Sequence, residues 1–346
     1  MNVKAGYVYD PIYLSHHTGK HPENNKRLEA IISHLEQTQL ICQLTPIKPR
    51  AATVEELLLV HHEQHILHIQ EMEQKGGGWL DPDTVMSADS YQAALYAAGG
   101  AIEASRAVMG GEVASAFALV RPPGHHATTS RAMGFCLFNN LAIAAKYALT
   151  KYNLERIAII DFDVHHGNGT HDTFYDNPKV LYISTHQFPF YPGTGSLEET
   201  GGDKAKGTTV NMPLPAGCSD TEYLEVFDEI ITPVVRRFSP QLILVSAGYD
   251  SHWADGLAMM QVSVTGFARM VRIIKELADQ MCNGQLVFTL EGGYNLTALA
   301  ASVKATFDVL LGNTNIEDPL GKSPRGLAAP SIAPLIKIIK KIHNLL

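Results

Sequence analysis

Five short apolar runs punctuate the chain: SAFALV (115–120), RIAII (156–160), VLYIST (180–185), QLILVSA (241–247) and QLVFTL (285–290). Each is too short for a typical helix and apolar on both faces, as strands buried inside a parallel sheet are. Between and around them, apolar residues recur at helical spacing. That spacing predicts helices over 24–37, 54–74, 90–109, 139–150, 220–237, 264–281 and 297–311. SDTEYL (219–224) opens one of them with a cap signal. GGG (76–78) and DPD (81–83) predict a loop, and no internal repeat is present. The Pro- and Gly-rich stretch 313–330 leads into SIAPLIKIIKKIHNLL, an amphipathic basic helix expected to dock on its own domain. The pattern predicts an α/β chain with a single central, mostly parallel sheet flanked by helices. The expected organisation is one domain over 1–312 and a tail over 313–346.

Polar groups gather where the apolar runs stop. RPPGHHA (121–127), DFDVHHGNGT (161–170), THQFPFYPGTG (185–195), GYDSH (248–252) and EGGYN (291–295) each follow a predicted strand. In open parallel sheets, ligands bind outside the carboxyl ends of the strands. Asp163 and His165 are two apart, which on extended backbone puts both on one face. Asp250, at another strand end, can close a third corner. Two carboxylates, one imidazole and an open position suit a catalytic zinc, and so oxygen-rich a set leaves Fe(II), Co(II) or Mn(II) open. The blander reading is an Asp–His hydrogen-bonded pair without metal. The tandem His125 and His126 offer acid–base chemistry, with Asp161 and Asn168 as candidate partners of charged and neutral kind. Tyr294, after Gly292 and Gly293, is either an oxyanion donor or a core tyrosine.

Composition narrows the class. The 346 residues are 45% hydrophobic, enough for a large core. A net charge of −8 argues against direct nucleic-acid binding. The four scattered cysteines, the absence of an apolar leader and the absence of a membrane-length apolar run set the expectation of a reduced, cytoplasmic protein with no membrane span.

Taken together, RPPGHHA, GFCLFNN (134–140), DFDVHHGNGT, YPGTG (191–195), SAGYD (246–250) and LEGGYN (290–295) resemble the histone deacetylase family, nearest its class II and bacterial members and related to acetylpolyamine amidohydrolases. The resemblance spans roughly 6–311 and implies the arginase–deacetylase fold. It implies zinc on Asp163, His165 and Asp250, and His125 and His126 as catalytic histidines partnered by Asp161 and Asn168. It further implies Tyr294 as the transition-state tyrosine, which argues for an active enzyme. Phe135 and Tyr191, with Gly134, match the walls of an acyl-lysine tunnel; Tyr191 stands where phenylalanine is more usual. Arg27 matches an arginine of an acetate channel, and Asp161 with Ser184 a structural K+ or Na+ site. On this reading His126 is the base, His125 stays protonated, and the products are acetate and a free amine.

The implied activity is removal of acetyl or short acyl groups from the ε-amine of lysine in proteins or peptides. Acetylated polyamines are the alternative substrate, and a non-catalytic acyl-lysine binding module is the alternative of a different class. The compact HHTGKHPENNKRL (16–28) favours an open mouth and peptide substrates. A two-metal ureohydrolase of the same fold needs an Asp two residues after His165 and another two after Asp250; the chain has Gly167 and His252 there. Three further groups are expected to be supporting. His61, His65 and His68 fall on one face of the predicted helix 54–74. His16, His17 and His21 are expected at the rim, as is a carboxylate from Asp81 or Asp83. Cys136 is read as packing. The sequence leaves a homo-oligomer open.

Overall fold

The structure, a computed structural model, describes residues 4–324 and 330–345. Met1–Val3, Arg325–Ala329 and Leu346, which fall within the expected domain and tail, lie outside the described residues. The strands in chain order are β1 (Ala5–Val8), β2 (Thr45–Ile47), β3 (Gly77–Trp79), β4 (Val85–Ser87) and β5 (Ser115–Ala118). They continue with β6 (Ile157–Asp161), β7 (Val180–Gln187), β8 (Thr209–Leu214), β9 (Leu242–Ala247) and β10 (Leu286–Leu290). Eight of them form one sheet in the order β2-β1-β5-β10-β9-β6-β7-β8, and every pairing in it is parallel. The five strands expected from the apolar runs are the contiguous centre of this sheet, β5-β10-β9-β6-β7. Being covered on both faces, they carry no polar alternation. The three that the pattern missed lie outside that centre, β2 and β8 as the edge strands and β1 between β2 and β5, and they are short or mixed in polarity.

Helices flank the sheet. Ser90–Met109 packs on Asn140–Lys151, while Lys26–Gln37, Leu296–Leu310 and Val264–Cys282 pack in succession on one another. Phe117 of β5, Phe288 of β10 and Phe307 of a flanking helix knit sheet to helix, with ring centroids 5.5 Å apart in both pairs that Phe117 makes. Two helices that begin just after the polar loops are capped by asparagine: Asn139 accepts from the Ala142 N–H and Asn295 from the Ala298 N–H, both at 3.0 Å. A loop that must place side chains accurately is thus tied off by a fixed helix start.

Three expectations are corrected. The helix expected over 54–74 is two helices, Val54–Leu57 and Glu63–Gln74, so His61 precedes the second one. The break arises because the residues at the joint serve other partners: the His62 N–H donates to Thr129 O at 2.8 Å. Of the loop expected around GGG and DPD, 81–83 is the loop that joins β3 to β4, whereas Gly77 and Gly78 belong to β3, whose antiparallel pairing starts at Gly77 and Ser87. The helix expected over 220–237 contains a wider turn, Phe227–Ile231, between Asp220–Val226 and Thr232–Phe238. The tail helix runs Ala333–Ile342 and buries Ile336 and Ile339 in the core. Among the described residues, no helix is long and apolar enough to cross a membrane.

Candidate active site

β6 ends at Asp161, and the chain then curls rather than staying extended. The Asp163 N–H donates to Asp161 Oδ1 (3.2 Å), and the His165 N–H donates to Asp163 Oδ1 (2.9 Å). Each short carboxylate thus caps the residue two further on. This curl, and not strand alternation as the spacing suggested, brings Asp163 and His165 to one point. Asp250, three residues past β9, meets them there, its Oδ1 fixed by the Val164 N–H at 3.0 Å. One ligand atom from each of Asp163, His165 and Asp250 lies within 4.8 Å of the others, and this is the one such cluster among the described residues. His165 Nδ1 is 3.2 Å from Asp163 and 3.3 Å from Asp250.

The donor set fits a divalent cation. Both carboxylates are buried, and Asp250 Oδ2 accepts no hydrogen bond. Burial and the facing Asp163 push the Asp250 carboxyl up to about 6, the electrostatic cost that a cation would relieve. Gly292 donates its N–H to Asp163 Oδ2 (2.8 Å), and a Cβ there would collide with both carboxylates. The two positions that would serve a second metal do not join the cluster. His252 Nδ1 accepts from the Ala254 N–H at 3.0 Å, and a side chain at Gly167 would run into the Asp161 carboxylate.

The tandem histidines sit beside this cluster with opposite electrostatics. His125 Nδ1 is 3.1 Å from Asp161 Oδ2. Burial disfavours its cation, but the Asp163 and Asp161 carboxylates outweigh burial and raise it to about 10. His126 Nδ1 is 2.8 Å from the neutral Asn168 Oδ1. Burial, with His125 and His165 nearby, pushes it well below its ordinary value. One imidazole is held charged and its neighbour neutral, with ring centroids 4.0 Å apart.

A pocket of about 230 Å³ opens above, lined by His126, His165, Phe135, Tyr191, Asp83 and Tyr294, with Phe190 and Leu257 completing the wall. Tyr191 stands edge-on to His126, centroids 5.2 Å apart. Tyr294 is fixed by its backbone, its N–H donating to Asp255 Oδ2 at 2.6 Å. The Arg27 guanidinium lies 5.0 Å from its ring centroid and donates to Gly293 O at 2.7 Å. Ser184 faces Asp161 in register across β6 and β7.

Other sequence candidates fall away from the centre. His16 is buried, Nδ1 2.7 Å from Ser90 Oγ, and so is not at the rim; His17 is exposed; His21 alone of the three packs on a pocket wall, against Phe135. His61 and His65 are buried and bond the backbone of Thr128, Asn139 and Leu137, while His68 is exposed, so the three share no face. Cys136 is buried, and burial pushes its thiol well up. Of the two rim carboxylates, Asp83 lines the pocket.

Sequence reasoning missed Glu291. Its fully buried carboxylate accepts the N–H groups of Gly124 (2.7 Å) and His125 (3.1 Å) and the Ser246 hydroxyl (3.1 Å). Burial pushes it up to about 7. It missed also Glu23, a buried carboxylate bound by Arg27 (3.1 Å) and Arg121 (2.8 Å). For Glu291, an acid beside two glycines at a strand end was the available signal; Glu23, in HPENN before the first long helix, offered none.

Comparison with known proteins agrees with this geometry. A model of the histone deacetylase domain matches residues 21–310. A "probable deacetylase" of Archaeoglobus fulgidus is 41% identical, with 98% of each chain covered. "Histone deacetylase 10, chloroplastic" of Oryza sativa subsp. japonica is 40% identical over 88% of this chain and 72% of its own. The crystal structure of the HDA15 HD domain superposes with a TM-score of 0.87 at 35% identity, covering 99% of this chain and 95% of that one. The chain belongs to the histone deacetylase family, whose members are hydrolases acting on acetylated amides.

Proposed function

We propose that the protein removes acetyl or short acyl groups from the ε-amine of lysine in peptides or proteins. The observation that carries this is the placement of a three-donor cluster, a charged and a neutral histidine and a tyrosine at one pocket with aromatic walls. Phe135 and Tyr191 suit a narrow apolar tetramethylene chain, and Leu257 adds a further apolar wall.

Asp163, His165 and Asp250 would hold the metal, zinc by family and with Fe(II), Co(II) or Mn(II) compatible with the donors. When bound, it supplies Lewis-acid polarisation of the acyl carbonyl and lowers the pKa of water. His126, neutral, accepts the proton of the attacking water through the nitrogen that Asn168 leaves free. His125, cationic, stabilises developing negative charge. Burial beside Asp250 holds the Tyr294 phenol well above its ordinary range, so it keeps its proton and donates to the oxyanion. The departing amine leaves with the proton that His126 took from the water, which returns His126 to its neutral form. Arg27 braces Tyr294 and the backbone of Gly293 on the inner side, where acetate would leave. Asp161 and Ser184 are the pair for a structural K+ or Na+. The tail helix belongs to the same unit through Ile336 and Ile339.

Acetate release from an acetyl-lysine peptide and from N-acetylputrescine, measured side by side on metal-loaded enzyme, tests the reading. A higher kcat/KM for the peptide is expected. Preference for acetylputrescine would reassign the substrate, and no release from either with metal bound would overturn hydrolysis of these amides.

A further inference from the structure

Phe135 has the backbone of a left-handed residue, φ 69°, which a bulky side chain adopts only where its surroundings impose it. It follows Gly134, also left-handed at φ 56°, where any Cβ would collide with the His126 ring. Two consecutive residues of this kind turn two N–H groups towards one side, and the hairpin β3–β4 takes both. The Gly134 N–H donates to Asp83 Oδ1 (3.3 Å), and the Phe135 N–H donates to Thr84 Oγ1 (3.0 Å). Thr84 is fully buried, and its hydroxyl hydrogen goes to Asp83 Oδ1 at 3.0 Å. The hydroxyl is therefore committed as acceptor and as donor at once.

A third group locks the pair. His21 Nδ1 accepts from the Glu23 N–H (3.1 Å), so Nε2 carries the hydrogen and donates to Asp83 O (3.1 Å). The same imidazole stands edge-on to Phe135, centroids 4.4 Å apart at 89°. Beyond it, Phe135 stands edge-on to Tyr294 at 5.8 Å. The wall ring is thus held between His21 and Tyr294, and its backbone hangs from Thr84.

We propose that Thr84, with Asp83 and His21, is a clamp that sets the width of the acyl-lysine pocket by holding the Gly134–Phe135 turn. Thr84 touches no substrate and is a positioning residue. The proposal rests on the deacylase reading for its substrate, but the clamp itself is open to a test that needs no turnover. In Thr84→Val the shape is kept and the acceptor for the Phe135 N–H is lost. Hydrogen exchange of the segment around Phe135 is expected to quicken, and Thr84→Ser is expected to restore it. On lysine peptides carrying acetyl and hexanoyl groups, Thr84→Val is expected to raise KM for the acetyl peptide about fivefold, as loss of one hydrogen bond would. kcat stays within about twofold, and the acetyl-over-hexanoyl ratio of kcat/KM narrows. His21→Leu, farther from the core, is expected to shift both readouts the same way should Thr84→Val not fold. Unchanged exchange at Phe135 overturns the clamp. Faster exchange with an unchanged acyl ratio overturns its control of pocket width. A wild-type enzyme that hydrolyses neither peptide overturns the deacylase reading, and the exchange measurement then decides the clamp by itself.

Discussion

Tyr294 owes its position to backbone and its protonation to burial. Its N–H is held by Asp255, its ring by Arg27 and Phe135, and nothing in that set needs the hydroxyl. Tyr294→Phe should therefore leave the fold and metal binding intact while lowering kcat about 10²–10³-fold, the usual cost of one oxyanion donor. KM should change little, since the donor acts on charge that develops in the transition state; steady-state kinetics separates the two. His126 depends on Asn168 for orientation and on burial for neutrality. His126→Ala should lower kcat about 10²–10⁴-fold with the metal content, read by mass spectrometry, unchanged. These residues were legible in the sequence because each is an ionisable group stranded at the end of an apolar run. Glu291 stands at the end of such a run too and was equally legible as an ionisable group; its role as acceptor for the Gly124 and His125 N–H groups was not, and Thr84 was not legible at all, because a buried acceptor looks like any other polar residue until the loop that it serves is in place.

At the scale of elements, the joint between Val54–Leu57 and Glu63–Gln74 matters more than either helix. There His61 is buried between Thr128 and Asn139, accepting the Asn139 N–H through Nε2. Burial, with His65 nearby, lowers it to about 3. The folded protein keeps this imidazole neutral, while the unfolded chain takes up a proton below about pH 6.5. The unfolded state thus binds more protons between those two values, and stability falls as pH drops through that window. Relative to His61→Gln, wild type should lose stability by about 1.4 kcal/mol per pH unit between pH 6 and 4, measured by urea unfolding. Above pH 7 the difference should be flat. A second element-scale site is Phe117, at the meeting of β5, β10 and the helix Leu296–Leu310. Phe117→Ala should cost about 3–5 kcal/mol of stability.

At the scale of the whole molecule, the candidate metal cluster draws on two non-adjacent segments. Asp163 and His165 follow β6, and Asp250 follows β9, its neighbour in the sheet. A metal bound there ties the centre of the sheet together and should stabilise the folded state by mass action, about 2.7 kcal/mol at a hundred times its dissociation constant. Adding Zn2+ to metal-free protein should raise Tm accordingly, and Asp250→Asn should abolish that rise, with calorimetry showing the lost binding directly.

By itself the sequence determined the class of fold, the central strands and which ionisable residues stand at the strand ends that the pocket draws on. Apolar runs buried on both faces are visible as runs, and an ionisable residue at their ends has few structural reasons to be there. What only the tertiary structure decided is geometry between distant segments. The order β5-β10-β9-β6-β7 set the five loops side by side. The curl after Asp161 aimed Asp163 and His165 at Asp250. The buried acids and the Thr84 clamp fixed the loops in place. Each of these rests on hydrogen bonds and packing between residues far apart in the chain, and no periodicity along a strand or helix encodes them.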